Sequence, residues 1–235
     1  MSQSSLLTRS ILGMFALVSM VDASSATTIL DAWHDADILS RTYYIVGIDD
    51  DDYCTPAQTF TPTVTGKLAG IAIRAYKSGS VTQPLVVKIL STSNGVPSQF
   101  ASGILGSVTL QPGSLPMLDY DRQTGVMVSI WTYIDFSSFN IPVLANQQMA
   151  ISLQSSGLFP QGYYRWHTAE DLYAGGQHWD RGGKANGPWV TATPNLGDYS
   201  FQTFVTIPEP SAAVLTTLAA LGFVRLRRVR RRAMA

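Results

Sequence analysis

Between Trp166 and Trp189 the chain gathers most of the side chains that could do chemistry: His167, Glu170, Asp171, His178 and Asp180 stand among Trp166, Tyr173, Trp179 and Trp189. Two imidazoles and three carboxylates are donor types of a transition-metal site. His167 and His178 lack the i, i+4 spacing that sets two imidazoles on one helix face, and Gly175-Gly176 between them argues for a loop, so polar loop residues are the favoured reading. The aromatic rings suggest a second chemistry. A flat ring can stack on the C–H face of a sugar while nearby Asp, His and Asn groups bond its hydroxyls; large aromatics equally fill cores. Trp166 and Trp179, flanked by His and Asp in Gly-rich surroundings, are the candidate exposed glycan-binding rings, whereas Tyr164 and Trp189 read as core. A third chemistry is glycoside hydrolysis by paired carboxyl groups, which any two strands can supply. Glu170 with Asp135 or Asp171 is such a pair, and a pair of glutamates is excluded because Glu170 is the only one before Glu209.

Asp49, Asp50, Asp51 and Asp52 form the densest acidic run. Calcium takes several oxygen ligands in flexible geometry and can neutralise such a cluster. The spaced Asp-x-Asp-x-Asp-Gly pattern of a calcium loop is absent, and a strand sends neighbours to opposite faces, which favours a solvated acidic loop over structural calcium. No other cofactor is expected. The Gly-x-Ser-x-Gly elbow, the His-Glu-x-x-His helix, the phosphate-binding glycine loop and the dinucleotide fingerprint are all missing.

The elements that must position these residues read as strands. Leu68 to Tyr76 alternates, with Ile71 and Ile73 on one face and Arg74 and Tyr76 on the other. Pro84 opens a run from Leu85 to Leu90, and Asn94-Gly95-Val96-Pro97 is a turn. Further strands are expected at Ile104 to Leu110, Val126 to Phe136, Met149 to Gln154, Tyr163 to Trp166, Trp189 to Thr191 and Tyr199 to Val205. Gly and Pro make up 31 of 235 residues and lie between these runs, as turns require. Some eight to ten strands without crossover helices predict an all-β fold, an antiparallel β-sandwich.

Composition bounds the partners. Residues 24–206 carry nine Lys or Arg against 14 Asp or Glu, a net charge of −5 that the basic end of the chain hides in the full-length balance of 16 against 16. An acidic surface of this kind argues against nucleic-acid binding. Cys54 is the only cysteine, so no internal disulfide exists and stability must come from burial. A buried, inert thiol is the favoured reading of Cys54.

Both ends look like sorting signals. Residues 1–26 combine a weakly basic start, an apolar core from Ile11 to Val21 and small-x-Ala cleavage sites at Val21-Asp22-Ala23 or Ser24-Ser25-Ala26, as in a secretory signal peptide. At the other end, Ile207-Pro208-Glu209-Pro210-Ser211 precedes an apolar run from Ala212 to Val224 and then Arg225, Arg227, Arg228, Arg230, Arg231 and Arg232. Pro208 and Pro210 lack amide protons and hold Glu209 on an extended segment. The 13 residues of the run, read as a single hydrophobic helix, span about 20 Å of a hydrocarbon core near 30 Å, a marginal membrane crossing. The arginines keep the end cytoplasmic and the remainder outside the inner membrane.

Pro208-Glu209-Pro210, the apolar segment 212–224 and the Arg-rich end 225–232, in that order, resemble the PEP-CTERM sorting signal, also known as the ice-binding protein C-terminal domain, a label that says nothing of ice here. The resemblance covers residues 207–235 and implies a chain exported by the general secretion machinery, transiently anchored, and recognised by an exosortase, a membrane processing enzyme of bacteria that make exopolysaccharide. The chain is then that enzyme's substrate and no catalyst itself, bound for the cell surface or extracellular matrix. Leu85 to Leu110, Ile134 to Ile151 and Asp198 to Phe204 resemble jelly-roll passengers attached to such tails. The organisation expected is thus a signal peptide over 1–26, a passenger over 27–206 and a sorting signal over 207–235. The passenger is expected to be a non-enzymatic envelope or exopolysaccharide-associated protein; the alternatives are a carbohydrate-binding module and a secreted glycan-directed hydrolase.

Overall fold

Every regular element of appreciable length among the described residues is a strand. The computed structural model describes residues 26–35, 43–49, 52–117, 119–120, 127–128, 130–159, 161–168, 173–181, 187–191 and 197–208. Outside them lie the signal peptide except Ala26, and Asp50, Asp51, Glu170, Asp171, Glu209, Pro210, the segment 212–224 and the arginines from Arg225 to Arg232. Among the described residues no helix is long and apolar enough to cross a membrane.

In chain order the strands are β1 (Ala26–His34), β2 (Tyr43–Asp49), β3 (Asp52–Phe60), β4 (Gly66–Ile73), β5 (Ala75–Gly79), β6 (Leu85–Ser93), β7 (Val96–Pro97), β8 (Ile104–Leu110) and β9 (Asp119–Tyr120). There follow β10 (Met127–Val128), β11 (Thr132–Asp135), β12 (Pro142–Val143), β13 (Met149–Gln154), β14 (Gly162–His167), β15 (His178–Arg181), β16 (Val190–Thr191) and β17 (Phe201–Pro208). One sheet of five strands runs β1-β17-β4-β11 with β12 also beside β4. A sheet of ten runs β5-β14-β2-β3-β13-β6-β7, with β8 on β6 and β15 joining β3 to β16. The paired strands are antiparallel, so the fold is all-β with antiparallel sheets. Residues Thr28–Thr206 form one compact unit.

The stretch expected as one strand from Leu68 to Tyr76 is two. The chain leaves the five-stranded sheet at Ile73 and joins the ten-stranded sheet at Ala75. Arg74 makes the corner: it is buried, bonded through Nη2 to Asp35 Oδ2 at 3.0 Å, and its guanidinium lies 4.7 Å from the Trp131 ring centroid. The expected strand from Val126 to Phe136 is likewise divided, β10 pairing with β9 and β11 with β4. β8 and β13 have the limits expected, and Asn94 and Gly95, both at positive φ (51° and 82°), close the β6–β7 hairpin that the Asn-Gly pair predicts.

Alternation decides which face each strand gives to the core. Leu85, Val87 and Ile89 of β6 and Met149, Ile151 and Leu153 of β13 join one cluster with Phe60, Leu68, Ile71, Ile73, Phe201 and Val205, so both large sheets feed the same core. Leu68 and Ile71 are an odd number of positions apart and would point to opposite faces of a regular strand. A bulge resolves this: Phe204 faces Gly70 and the next residue, Val205, faces Leu68, so Ala69 is extra. Across the core Phe60 of β3 meets Phe201 of β17 at 5.9 Å between ring centroids.

Candidate functional site

β15 was not expected as a strand, because Gly175-Gly176 and the polar residues around it read as loop. Its entry is instead tightly fixed. Thr59 N donates to Gln177 O at 3.0 Å, and Gln177 N donates to Thr59 Oγ1 at 2.8 Å. Gly176 permits this approach, since a Cβ there would collide with the Thr59 carbonyl. β15 then pairs with β3, His178 opposite Gln58, Trp179 opposite Ala57, Asp180 opposite Pro56 and Arg181 opposite Thr55. Period-two alternation gives this one strand two chemically distinct faces.

The inward face carries His178 and Asp180 into a polar corner of the core. Asp198, 1% exposed, accepts the Tyr173 backbone N–H through Oδ2 at 2.7 Å, and its Oδ1 lies 3.6 Å from His178 Nδ1. Asp180 Oδ2 accepts the Tyr44 hydroxyl. Burial pushes the Asp180 carboxyl up to about 6, against a smaller opposing pull from the Arg181 backbone N–H. Tyr199 fills the centre of the corner: its N–H donates to Gln58 Oε1 at 2.8 Å and its ring contacts those of Tyr44 and His178 edge-on. Burial first, and then the charges of Asp180, Asp198 and Cys54, raise its phenol well above the ordinary range. Asp180 can therefore hold a proton up to about pH 6, but the groups around it are largely closed to solvent: His178 is 8% exposed and Tyr199 1%.

The expectation of exposed rings at Trp166 and Trp179 is corrected by their burial, 0% and 7% exposed. Trp166 faces inward on β14, its Nε1 donating to Ser200 O at 3.0 Å, and β2 and β5 flank it at Tyr44 and Ala75. Trp179 packs on the outer side of the ten-stranded sheet with Ala57, Leu90, Ala150 and Trp189. Tyr164 and Trp189 are buried as expected. His167, also buried, has Nδ1 3.5 Å from Ser200 Oγ. Asp135 accepts the Ser137 N–H at 2.8 Å in an exposed turn, a bond that favours the ionised carboxylate and holds its pKa below the usual value; its proposed partners Glu170 and Asp171 lie outside the described residues. Cys54 is half-buried and not disulfide-bonded. Asp49 and Asp52 face each other across the β2–β3 hairpin, and Asp50 and Asp51 between them lie outside the described residues. Among the described residues no three His, Cys, Asp or Glu side chains are grouped to hold a metal ion.

The outward face of β15 leads to residues that were not singled out from the sequence. A row crosses the ten-stranded sheet from Trp179 through Ala57 and Ser152 to Lys88, and Arg181 stands beside it on the same face. There a hollow of about 280 Å³ is lined by Thr55, Lys88, Gln154, Phe100, Arg181 and Trp189, among others. The available signal was Lys88 itself, a lone cation inside Val86-Val87-Lys88-Ile89-Leu90, and Arg181 two positions beyond Trp179. A second, wider hollow of about 450 Å³ is lined by neutral groups including Thr61, Asn94, Gln148 and Gln177.

No family model and no curated protein matches this chain.

Proposed function

We propose that the chain is an exported, non-enzymatic protein of the cell envelope or exopolysaccharide matrix, addressed by a PEP-CTERM-type tail and processed there by an exosortase. Its passenger is a jelly-roll-like β-sandwich, the two large sheets closing on the core that Phe60 and Phe201 share. The observation that carries this reading is the order of the C-terminal residues: Pro208-Glu209-Pro210, an uncharged run from Ala212 to Val224, then six arginines. β17 supports it by ending on Pro208, so the last strand passes into the motif without a spacer. The apolar N-terminal segment supplies the matching export signal.

In this reading the tail is an address that the processing enzyme removes, and the passenger contributes its surface rather than a reaction. The burial of His178, Asp198 and Tyr199 supports a structural role for the most chemistry-rich cluster. The test is fractionation of the native host, comparing wild type with a variant in which Arg225, Arg227, Arg228, Arg230, Arg231 and Arg232 are all replaced by Gln. Wild type is expected outside the inner membrane, and the variant is expected to lose its fixed orientation and accumulate unprocessed. A wild-type chain found in the cytoplasm, or a variant sorted like it, contradicts the proposal.

A further inference from the structure

The outer face of the ten-stranded sheet holds two cations that lack counter-charges among the described residues. Lys88 donates through Nζ to the neutral Gln154 Oε1 at 2.7 Å. Arg181 donates through Nε to Gly187 O at 2.8 Å, and its guanidinium lies 5.1 Å from the Trp189 ring centroid. Neither forms an ion pair with a described carboxylate, although the passenger as a whole is acidic. Burial disfavours the charged form of both, and the charge of Arg181 disfavours the Lys88 cation further. Two like charges, partly removed from water, line one hollow without a described carboxylate beside them, an arrangement that carries an electrostatic cost. An anion entering between them relieves that cost.

The remaining lining narrows the anion. Thr55, Ser98, Gln99, Ser152 and Gln154 supply hydroxyls and amides, both donors and acceptors, rather than further charge. Phe100 stands at the same hollow with 75% of its surface exposed, an apolar ring with no core to fill. A volume of about 280 Å³ lies just below the range of about 300–1,000 Å³ for small-molecule sites, which suits a ligand of one ring. A single carboxylate on a ring rich in hydroxyls, with an apolar C–H face, satisfies all three kinds of lining at once.

We propose that this hollow binds the carboxylated ring of an acidic saccharide: Lys88 and Arg181 take the carboxylate, the amides and hydroxyls take the ring hydroxyls, and Phe100 covers the C–H face. The site is separate from Trp166 and Trp179 and does not depend on the processing of the tail. Ligation is through a bidentate-capable guanidinium and a point charge, a combination that distinguishes a carboxylate from a neutral hydroxyl.

The test is isothermal titration of the full-length protein in detergent micelles, in low-salt buffer, with trigalacturonate, a neutral glucose trisaccharide, sodium acetate and a triglutamate peptide. Trigalacturonate is expected to bind, with affinity falling as salt rises. Lys88→Gln is expected to weaken it at least about tenfold, the scale of one charge-assisted hydrogen bond. Phe100→Ala, at an exposed site that leaves the thermal midpoint unchanged, is expected to weaken it several-fold. Absence of trigalacturonate binding overturns the proposal. So does equal binding of the neutral trisaccharide. Equal binding of acetate or triglutamate replaces it with a general anion or acidic-peptide site, and binding indifferent to both substitutions places the ligand elsewhere.

Discussion

Tyr199 lies flat on Trp166, ring centroids 4.4 Å apart and planes 12° from parallel, with neither side chain more than 1% exposed. A ring whose face is already covered by another ring cannot stack on a sugar. Trp166 therefore acts through packing, and Trp166→Ala is expected to cost about 3–5 kcal/mol of stability, as large aromatic deletions in cores do. Denaturant unfolding checks this; a loss below about 1 kcal/mol would place the ring outside the core.

Asp180 should give the protein a measurable pH dependence. Its carboxyl is raised from 3.8 to about 6 in the folded state, so between these values the folded protein holds a proton that the unfolded chain releases. Stability from this group is therefore present at low pH, falls as pH rises from about 4 to about 6, and stays lost above. Asp180→Asn, which keeps an oxygen acceptor toward Tyr44, is expected to match wild type near pH 3.5 and exceed it at pH 7. Thermal melts across that range decide it; parallel curves for the two proteins would show an unshifted carboxyl.

Asp198 satisfies the Tyr173 backbone N–H from a position almost without solvent. Asp198→Ala leaves that donor without its acceptor and is expected to cost about 1–3 kcal/mol, with Asp198→Asn costing less because one oxygen remains. Equal losses in the two variants would mean that charge, rather than the hydrogen bond, is what the site uses.

Gly176 and Gly113 make a matched pair. A Cβ at Gly176 collides with the Thr59 carbonyl, whereas one at Gly113 meets nothing within 4 Å. Gly176→Ala is expected to destabilise by about 1–3 kcal/mol through overpacking, and Gly113→Ala to be close to neutral. Calorimetry of both variants tests whether the Thr59–Gln177 clasp fixes β15 as tightly as its hydrogen bonds imply.

The strands visible in advance were those whose side chains alternate or run apolar, such as β8 and β13, together with the Asn94-Gly95 turn. β3 was not, because Pro56 and its polar neighbours argue against a central strand; the structure seats it between β13 and β15, where Gln58 and Thr59 find side-chain and carbonyl partners. The sheet switch at Arg74 left no mark in local alternation, since it depends on Asp35 and Trp131, distant in sequence. The same limit applies to the aromatic rings. Gly-rich surroundings suggested exposure for Trp166 and Trp179, but burial is decided by register, which puts Trp166 against Tyr199 and Trp179 over Ala57. His178 and Asp180 drew notice by residue type, whereas the Lys88–Arg181 face required strands β6 and β15 to be placed in one sheet.

The mass of the mature C-terminus tests most directly whether the tail is an address that a processing enzyme removes. Pulse-labelled protein recovered from the surface or medium of the native host, digested and read by mass spectrometry, is expected to end close to Pro208-Glu209-Pro210 and to lack Arg225 and every residue after it. Mature surface protein that still carries the intact sequence through Arg232 would contradict the account.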